Sequence, residues 1–225
     1  MTPDPVLTQV EHWLSERCGL EVLSGERPRL EKALQTCAAA AGLDPERFAE
    51  RLAPCDPGDA FARPFIDHWV IPETSFFRTT AHFDALTDRV LPERRAARGP
   101  RPIRIWSAAC STGPEAYSLA MVADRVLGPH AAVEVMATDL REAALADARR
   151  AVYPERTVQR TPEVYRERYL HRGAEGWTVD PAIRSRVRFE VHNLTCDPYP
   201  TDIDVIFCRN VLIYFAPPAR RKVLE

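Results

Sequence analysis

The 225 residues predict an α/β protein in which a helical N-terminal domain precedes a parallel, doubly wound sheet. Three observations carry that expectation. Apolar residues recur at helical spacing up to about residue 95. From residue 103 onward, short apolar strands alternate with helices. Between the two, residues 93–102 are rich in arginine and proline and read as an exposed joint. The boundary is therefore placed at 95/96, giving a helical domain over 1–95 and an α/β domain over 96–225.

In the helical part, Val6, Val10, Trp13 and Leu14 share one face, and Leu30, Ala33, Leu34 and Cys37 share another. Asp44 as N-cap and Pro45 as first helical residue open a third helix, with Phe48 and Leu52 one turn apart. Phe65, Ile66 and Trp69 form a fourth stripe. Phe83, Leu86 and Val90 mark a fifth helix, expected to stop before Pro92.

In the second part, Ile103–Trp106 reads as a strand entering the loop Ser107–Gly113, and Pro114 opens an alanine-rich helix. Val133–Ala137 is a second strand, ending at Thr138–Asp139, and Leu140, Ala144, Leu145 and Ala148 give the next helix. Val187, Phe189 and Val191 alternate with polar residues in a third strand. Ile203–Phe207 is almost continuously apolar, as expected of a strand buried on both faces. Between about residues 161 and 186, a charged helix, a Gly173/Gly176 turn and the strand Trp177–Val179 predict a small antiparallel insertion.

Composition narrows the function. Thirty basic and 32 acidic side chains leave a net charge of −2, without the basic excess of a general nucleic-acid binder. With 45% hydrophobic and 28% charged residues, disordered and fibrous classes are excluded. The six cysteines are widely spread with no CxxC pair, and no signal peptide or apolar run of ~18 residues occurs. The expectation is a reduced, cytoplasmic chain with no membrane insertion; its oligomeric state is not legible. His192, Cys196 and Cys208 lack both pairing and a fourth nearby ligand, so no metal site is expected.

The loop Ser107–Gly113 stands where a parallel sheet usually holds a cofactor, and it is equally an ordinary strand-to-helix loop. Its single glycine, Gly113, is too few for the dinucleotide fingerprint, so a nicotinamide-dependent oxidoreductase is disfavoured. A cofactor without phosphates, such as S-adenosylmethionine, needs no such cradle. Asp139 suits the two ribose hydroxyls of an adenosine and would also serve as an N-cap. Asn193 and Asn210 follow later strands and carry both donor and acceptor, suited to an adenine edge or a cofactor carboxylate. Tyr214 is open to a core or a site role. Cys110 sits where a thiolate can be activated, without an evident partner base.

Together, the segments Pro72–Arg78 (PETSFFR), Ile103–Met121, Ala137–Asp139, Asn193–Thr195 and Ile206–Phe215 resemble the CheR-type chemotaxis-receptor glutamate O-methyltransferases. The resemblance runs from about residue 15 to the end of the chain. It implies a helical domain followed by a class I, Rossmann-like methyltransferase domain using S-adenosyl-L-methionine. By matching position, Thr74, Arg78, Glu115, Asp139, Asn193, Leu194, Asn210 and Val211 would line the cofactor site. Arg78 and Tyr214 would stand nearest the transferred methyl group as catalytic residues. The implied substrates are glutamate side chains on the cytoplasmic helices of chemoreceptors, or another acidic protein; a non-catalytic binding or scaffold module is the alternative.

Three departures accompany the resemblance. Pro72 stands where the family usually has asparagine. Residues 1–62 carry six basic and eleven acidic side chains, net −5, where receptor-docking members often present a basic helix face. Only ten residues follow Phe215, whereas a sheet of this class normally needs about three more strands. The chain is accordingly read as cut short within its second domain.

Overall fold

The computed structural model describes residues 2, 4–70, 73–99 and 101–225. Pro72 lies outside the described residues. In chain order the helices α1 (Asp4–Cys18), α2 (Arg27–Ala40), α3 (Pro45–Leu52) and α4 (Arg63–Trp69) come first. Next are α5 (Thr80–Ala85), a π turn (Leu86–Val90) and α6 (Leu91–Arg98). Alternation begins with β1 (Ile103–Ala108), α7 (Pro114–Leu127), β2 (Val133–Asp139) and α8 (Glu142–Arg150). There follow β3 (Val152–Tyr153), α9 (Glu155–Val158), α10 (Glu163–Tyr169), β4 (Leu170–Gly173), β5 (Gly176–Val179) and α11 (Pro181–Arg184). The chain closes with β6 (Val187–Val191), β7 (Val205–Cys208) and α12 (Pro217–Leu224).

By contact the chain divides into two compact units, one of residues 1–71, 192–199 and 209–225, the other of residues 72–191 and 200–208. In the first, α1 to α4 bury Val10, Trp13, Leu14, Leu30, Leu34, Phe48, Leu52 and Phe65. The Trp13 indole N–H donates to the Cys55 carbonyl at 3.0 Å, so the one polar atom of that ring is satisfied. Asp44 caps α3 by accepting from the Arg47 N–H at 2.8 Å, as its place before Pro45 predicts.

In the second unit, a parallel sheet of order β6-β2-β1-β7 holds the core. Strand order reverses at β1, so the carboxyl ends beside it are where an open α/β sheet takes a ligand. A separate antiparallel sheet has the order β3-β5-β4. β4 and β5 lie within the stretch expected to hold a small insertion, and β3 joins them from the far side of α9. Two residues are too short a stretch to show a period, which is why β3 was not legible.

Two other expectations are corrected. The helix marked by Phe83 and Leu86 does not stop before Pro92; it passes through the π turn, where the Leu91 N–H bonds to the Leu86 carbonyl, and continues to Arg98. The wider turn makes room for a ring that has no N–H to donate. Phe83, Leu86 and Leu91 pack into the same core as Ile103 and Ile105, so contact follows burial and not the change of sequence pattern near residue 95. The final apolar run is also different. β7 starts at Val205, and although Val205 and Phe207 are buried, Ile206 between them is 57% exposed. β7 is an edge strand of the described sheet and buries one face, as the period of two requires.

Candidate cofactor site

The loop between β1 and α7 is held from several directions. The Cys110 N–H donates to the Thr138 carbonyl at 2.8 Å, and the Gly113 N–H to the Cys110 carbonyl at 3.0 Å. The Ser111 N–H donates to Asp139 Oδ2 at 2.8 Å, while Asp139 Oδ1 accepts from the Arg141 N–H at 3.0 Å. Asp139 thus ties two loops together; the N-cap position of α8 is Arg141, so the expected capping role is not the one it plays. Ala109 and Ser111 both adopt left-handed backbone, with φ of 63° and 53°. Such residues cost of order 1–3 kcal/mol each and persist where surrounding bonds impose them.

Gly113 has φ +92°, and a Cβ there would meet the Ala148 Cβ at 2.9 Å and the Tyr153 hydroxyl at 3.2 Å. It is glycine because α8 and β3 approach so closely, not to cradle a phosphate. Glu115, in the first turn of α7, accepts from the Ser107 hydroxyl at 2.8 Å. The carboxylates of Asp139 and Glu115 therefore flank one loop.

The segment before α5 is fastened to the same helix. The Phe77 N–H donates to Ser118 Oγ at 3.1 Å, and the Phe76 N–H to the Thr157 carbonyl at 3.3 Å. Phe76 and Phe77 are buried, and Thr74 and Arg78 are half-buried beside them. Arg78 donates from Nη1 to the Glu73 carbonyl at 2.8 Å and pairs with the Glu73 carboxylate at 3.4 Å. Phe77 and Thr79 are also left-handed, with φ of 52° and 60°.

The remaining predicted residues belong to the first unit. Asn193 is buried; its Nδ2 donates to the Arg17 carbonyl at 2.7 Å, and its Oδ1 accepts from the Thr195 N–H and hydroxyl. Its amide thus shapes the loop 192–199, whose next residue, Leu194, is buried. Asn210 is exposed at φ 58°, Val211 is half-buried, and Tyr214 is 49% exposed, so the core role open to that tyrosine is not the one observed. A stretch the sequence did not single out organises both loops. Leu20 bridges Phe215, the Glu21 N–H donates to the Tyr214 carbonyl at 2.9 Å, and Gly19 at φ +70° lies against Thr195 and Ala219.

Cys110 is 1% exposed, and burial, followed by the negative fields of Asp139 and Glu115, pushes its thiol well above the ordinary range. It is therefore not an activated thiolate. Burial and Glu115 raise Cys208 in the same direction. Among the described residues, no group of three or more His, Cys, Asp or Glu is placed to hold a metal ion.

This donor set fits a positively charged, phosphate-free adenosine cofactor. The N–H groups of Cys110, Ser111 and Gly113 are already bonded within the protein, and Pro114 has none. The Glu115 carboxylate in the first turn of α7 repels a pyrophosphate. Ser111 Oγ, in contrast, is buried with no hydrogen-bond partner among the described residues, and awaits one. Asp139 and Glu115 supply the acceptors and the negative potential that suit ribose hydroxyls and a cation.

Comparison with known proteins agrees. The family described as "CheR methyltransferase, SAM binding domain" matches residues 72–225. Chemotaxis protein methyltransferase 1 of Pseudomonas aeruginosa is 42% identical over 168 residues, covering 71% of this chain and 61% of that protein. A probable biofilm formation methyltransferase, WspC, of Pseudomonas putida is 37% identical over 222 residues, covering 95% of this chain and 50% of that protein. A chemotaxis protein methyltransferase of Listeria monocytogenes is 37% identical over 162 residues, 72% of this chain and 61% of that protein. The chain thus spans between half and about three fifths of these relatives. With the family match covering well over half of it, the chain belongs to the CheR methyltransferase family, and S-adenosyl-L-methionine is the cofactor of its α/β domain.

Proposed function

We propose that this chain is a protein-glutamate O-methyltransferase acting on the cytoplasmic helices of chemoreceptors, where it forms glutamyl methyl esters. The observation that carries the reading is the common mounting of opposite charges on α7. Ser118 holds the backbone that presents Arg78, a cation suited to a substrate carboxylate. One turn earlier, Glu115 offers the negative charge suited to the cofactor.

The cofactor, when bound, supplies a methyl group on a sulfonium sulfur, a carbon that an anionic oxygen attacks directly. Asp139 would accept from the ribose hydroxyls, and Glu115 and Ser111 would provide further polar contacts; by the family resemblance Thr74, Asn193, Leu194, Asn210 and Val211 would be further cofactor-binding residues. A glutamate carboxylate has an unperturbed pKa of about 4.3, so it is ionised at neutral pH and needs no general base. Arg78 holds one of its oxygens while the other attacks. A full bidentate clamp would withdraw the charge the attack requires. The Tyr214 hydroxyl gives a weaker second orienting bond.

The test is transfer of a labelled methyl group from S-adenosylmethionine to receptor fragments, with release of the label in mild base. A base-labile label on glutamate supports the reading. Cofactor binding with no transfer to any receptor fragment would instead support the scaffold alternative, which the acidic residues 1–62 favour. Base-stable label would assign a different acceptor atom.

A further inference from the structure

We propose that Tyr153 is a positioning residue through which the small antiparallel sheet sets the geometry of the cofactor loop. The inference rests on reading residues 107–113 as that loop. Tyr153 belongs to β3, where it pairs with Trp177 of β5, and its backbone carbonyl lies under Gly176 so tightly that a Cβ there would sit 2.5 Å away. Its side chain leaves that sheet altogether. The ring, 4% exposed, packs edge-on against Phe76 with centroids 5.0 Å apart, and its hydroxyl donates to the Thr112 carbonyl at 2.7 Å.

One residue therefore touches three parts at once: the hairpin sheet through its backbone, and the segment that carries Arg78 and the loop that carries Ser111 through its side chain. Burial keeps the phenol protonated, well above its ordinary range, so it remains a donor at any working pH. Thr112 stands between Ser111, whose N–H is fixed by Asp139, and Gly113, packed against Ala148. Ser111 is left-handed, and Thr112 is pinned by the tyrosine. Releasing that carbonyl removes the bond that ties the loop to β3. Whatever bends the β4–β5 hairpin, a bound partner included, moves the Tyr153 backbone and with it the loop.

Tyr153→Phe removes the hydroxyl and keeps the ring. The expected result is S-adenosylhomocysteine affinity weakened roughly 3- to 10-fold by calorimetry, the scale of one hydrogen bond on a preorganised loop. Amide exchange over residues 108–113 of the ligand-free protein should quicken at least about 5-fold, with α1 to α4 unchanged. Affinity and loop exchange both within about twofold of the parent would overturn the proposal. Because exchange is read without ligand, a parent protein that fails to bind S-adenosylhomocysteine would sink the reading of the site and still leave Tyr153 decided. Gly176→Ala should weaken binding in the parent but add nothing in the Tyr153→Phe background, whereas Gly173→Ala, whose Cβ would lie 3.6 Å from the Gly176 carbonyl oxygen, should change nothing. Equal losses from Gly176→Ala in both backgrounds would refute transmission through the hydroxyl; if Gly176→Ala does not fold, Tyr153→Phe decides alone.

Discussion

Asp139 gives each carboxylate oxygen one backbone N–H, Ser111 on one side and Arg141 on the other. Asp139→Asn turns one of those acceptors into a donor that faces an N–H. Affinity for S-adenosylhomocysteine should fall more than about 10-fold by calorimetry, and an unchanged affinity would show that the bonds are dispensable. Arg78 belongs to the other half of the reaction. Arg78→Ala is expected to lower kcat far more than cofactor affinity; equal losses would make it a binding residue only. The cysteines differ first in burial. Cys196 is exposed whereas Cys18 and Cys110 are buried, so iodoacetamide at pH 8 should label Cys196 in the native protein and reach the other two only after denaturation. Mass spectrometry of the labelled peptides checks this.

At the scale of elements, turns decide what the strands and helices can do. Five of the non-glycine residues with positive φ, Phe77, Thr79, Ala109, Ser111 and Asn210, fall on the segments before α5, between β1 and α7, and after β7. None is a residue type that advertises such backbone in a sequence, apart from asparagine. Gly113 does advertise it, but its reason is tertiary. Gly113→Ala combines a left-handed φ with a Cβ 2.9 Å from Ala148, and should lower stability by about 1–3 kcal/mol, read as a fall in the urea midpoint. The β1, β2 and β6 strands and most helices follow from hydrophobic period, and the Asp44 cap from residue type. The passage of a helix through Pro92 and the short β3 do not, because a π turn and a two-residue strand leave no periodic trace.

The second unit as a whole depends on charges paired below its surface. Asp124, on α7, meets Arg186 at 3.1 Å and accepts from the Tyr169 hydroxyl at 2.8 Å; only 7% of its side chain is exposed. Asp124→Ala would leave Arg186, itself 13% exposed, without its counter-ion, at a cost of about 3–5 kcal/mol. Arg98 likewise joins α6 to the approach to β7 through Asp202 and Asp204. The hydrogen bond from Arg98 holds the Asp202 carboxyl below its usual value. At Asp180 burial works in the opposite direction, yet the bonds from His171 and the Ala182 N–H prevail and lower it. Both folded values lie below the unfolded one of about 3.9, so the stabilisation is complete above that pH and disappears as pH falls through the folded values. The urea midpoint should therefore fall below about pH 4, and less steeply in an Asp180→Asn, Asp202→Asn double variant; identical acid limbs in the two proteins would contradict the assignment.

The sequence by itself determined the α/β class, the order of helices and main strands, and the family, because each rests on local period or on ordered motifs. It also determined that the β1–α7 loop holds one glycine, which pointed away from a pyrophosphate. Only the tertiary structure decided that the N–H groups of Cys110, Ser111 and Gly113 are already spent, that Ser111 Oγ is buried without a partner among the described residues, and that Asn193 directs its amide to Arg17. It alone brought Tyr153 to Thr112, 41 residues away along the chain. The division has one physical cause. Propensity and hydrophobic period act over a few neighbouring residues, whereas hydrogen-bond satisfaction in a buried loop depends on whichever distant segments the fold places against it.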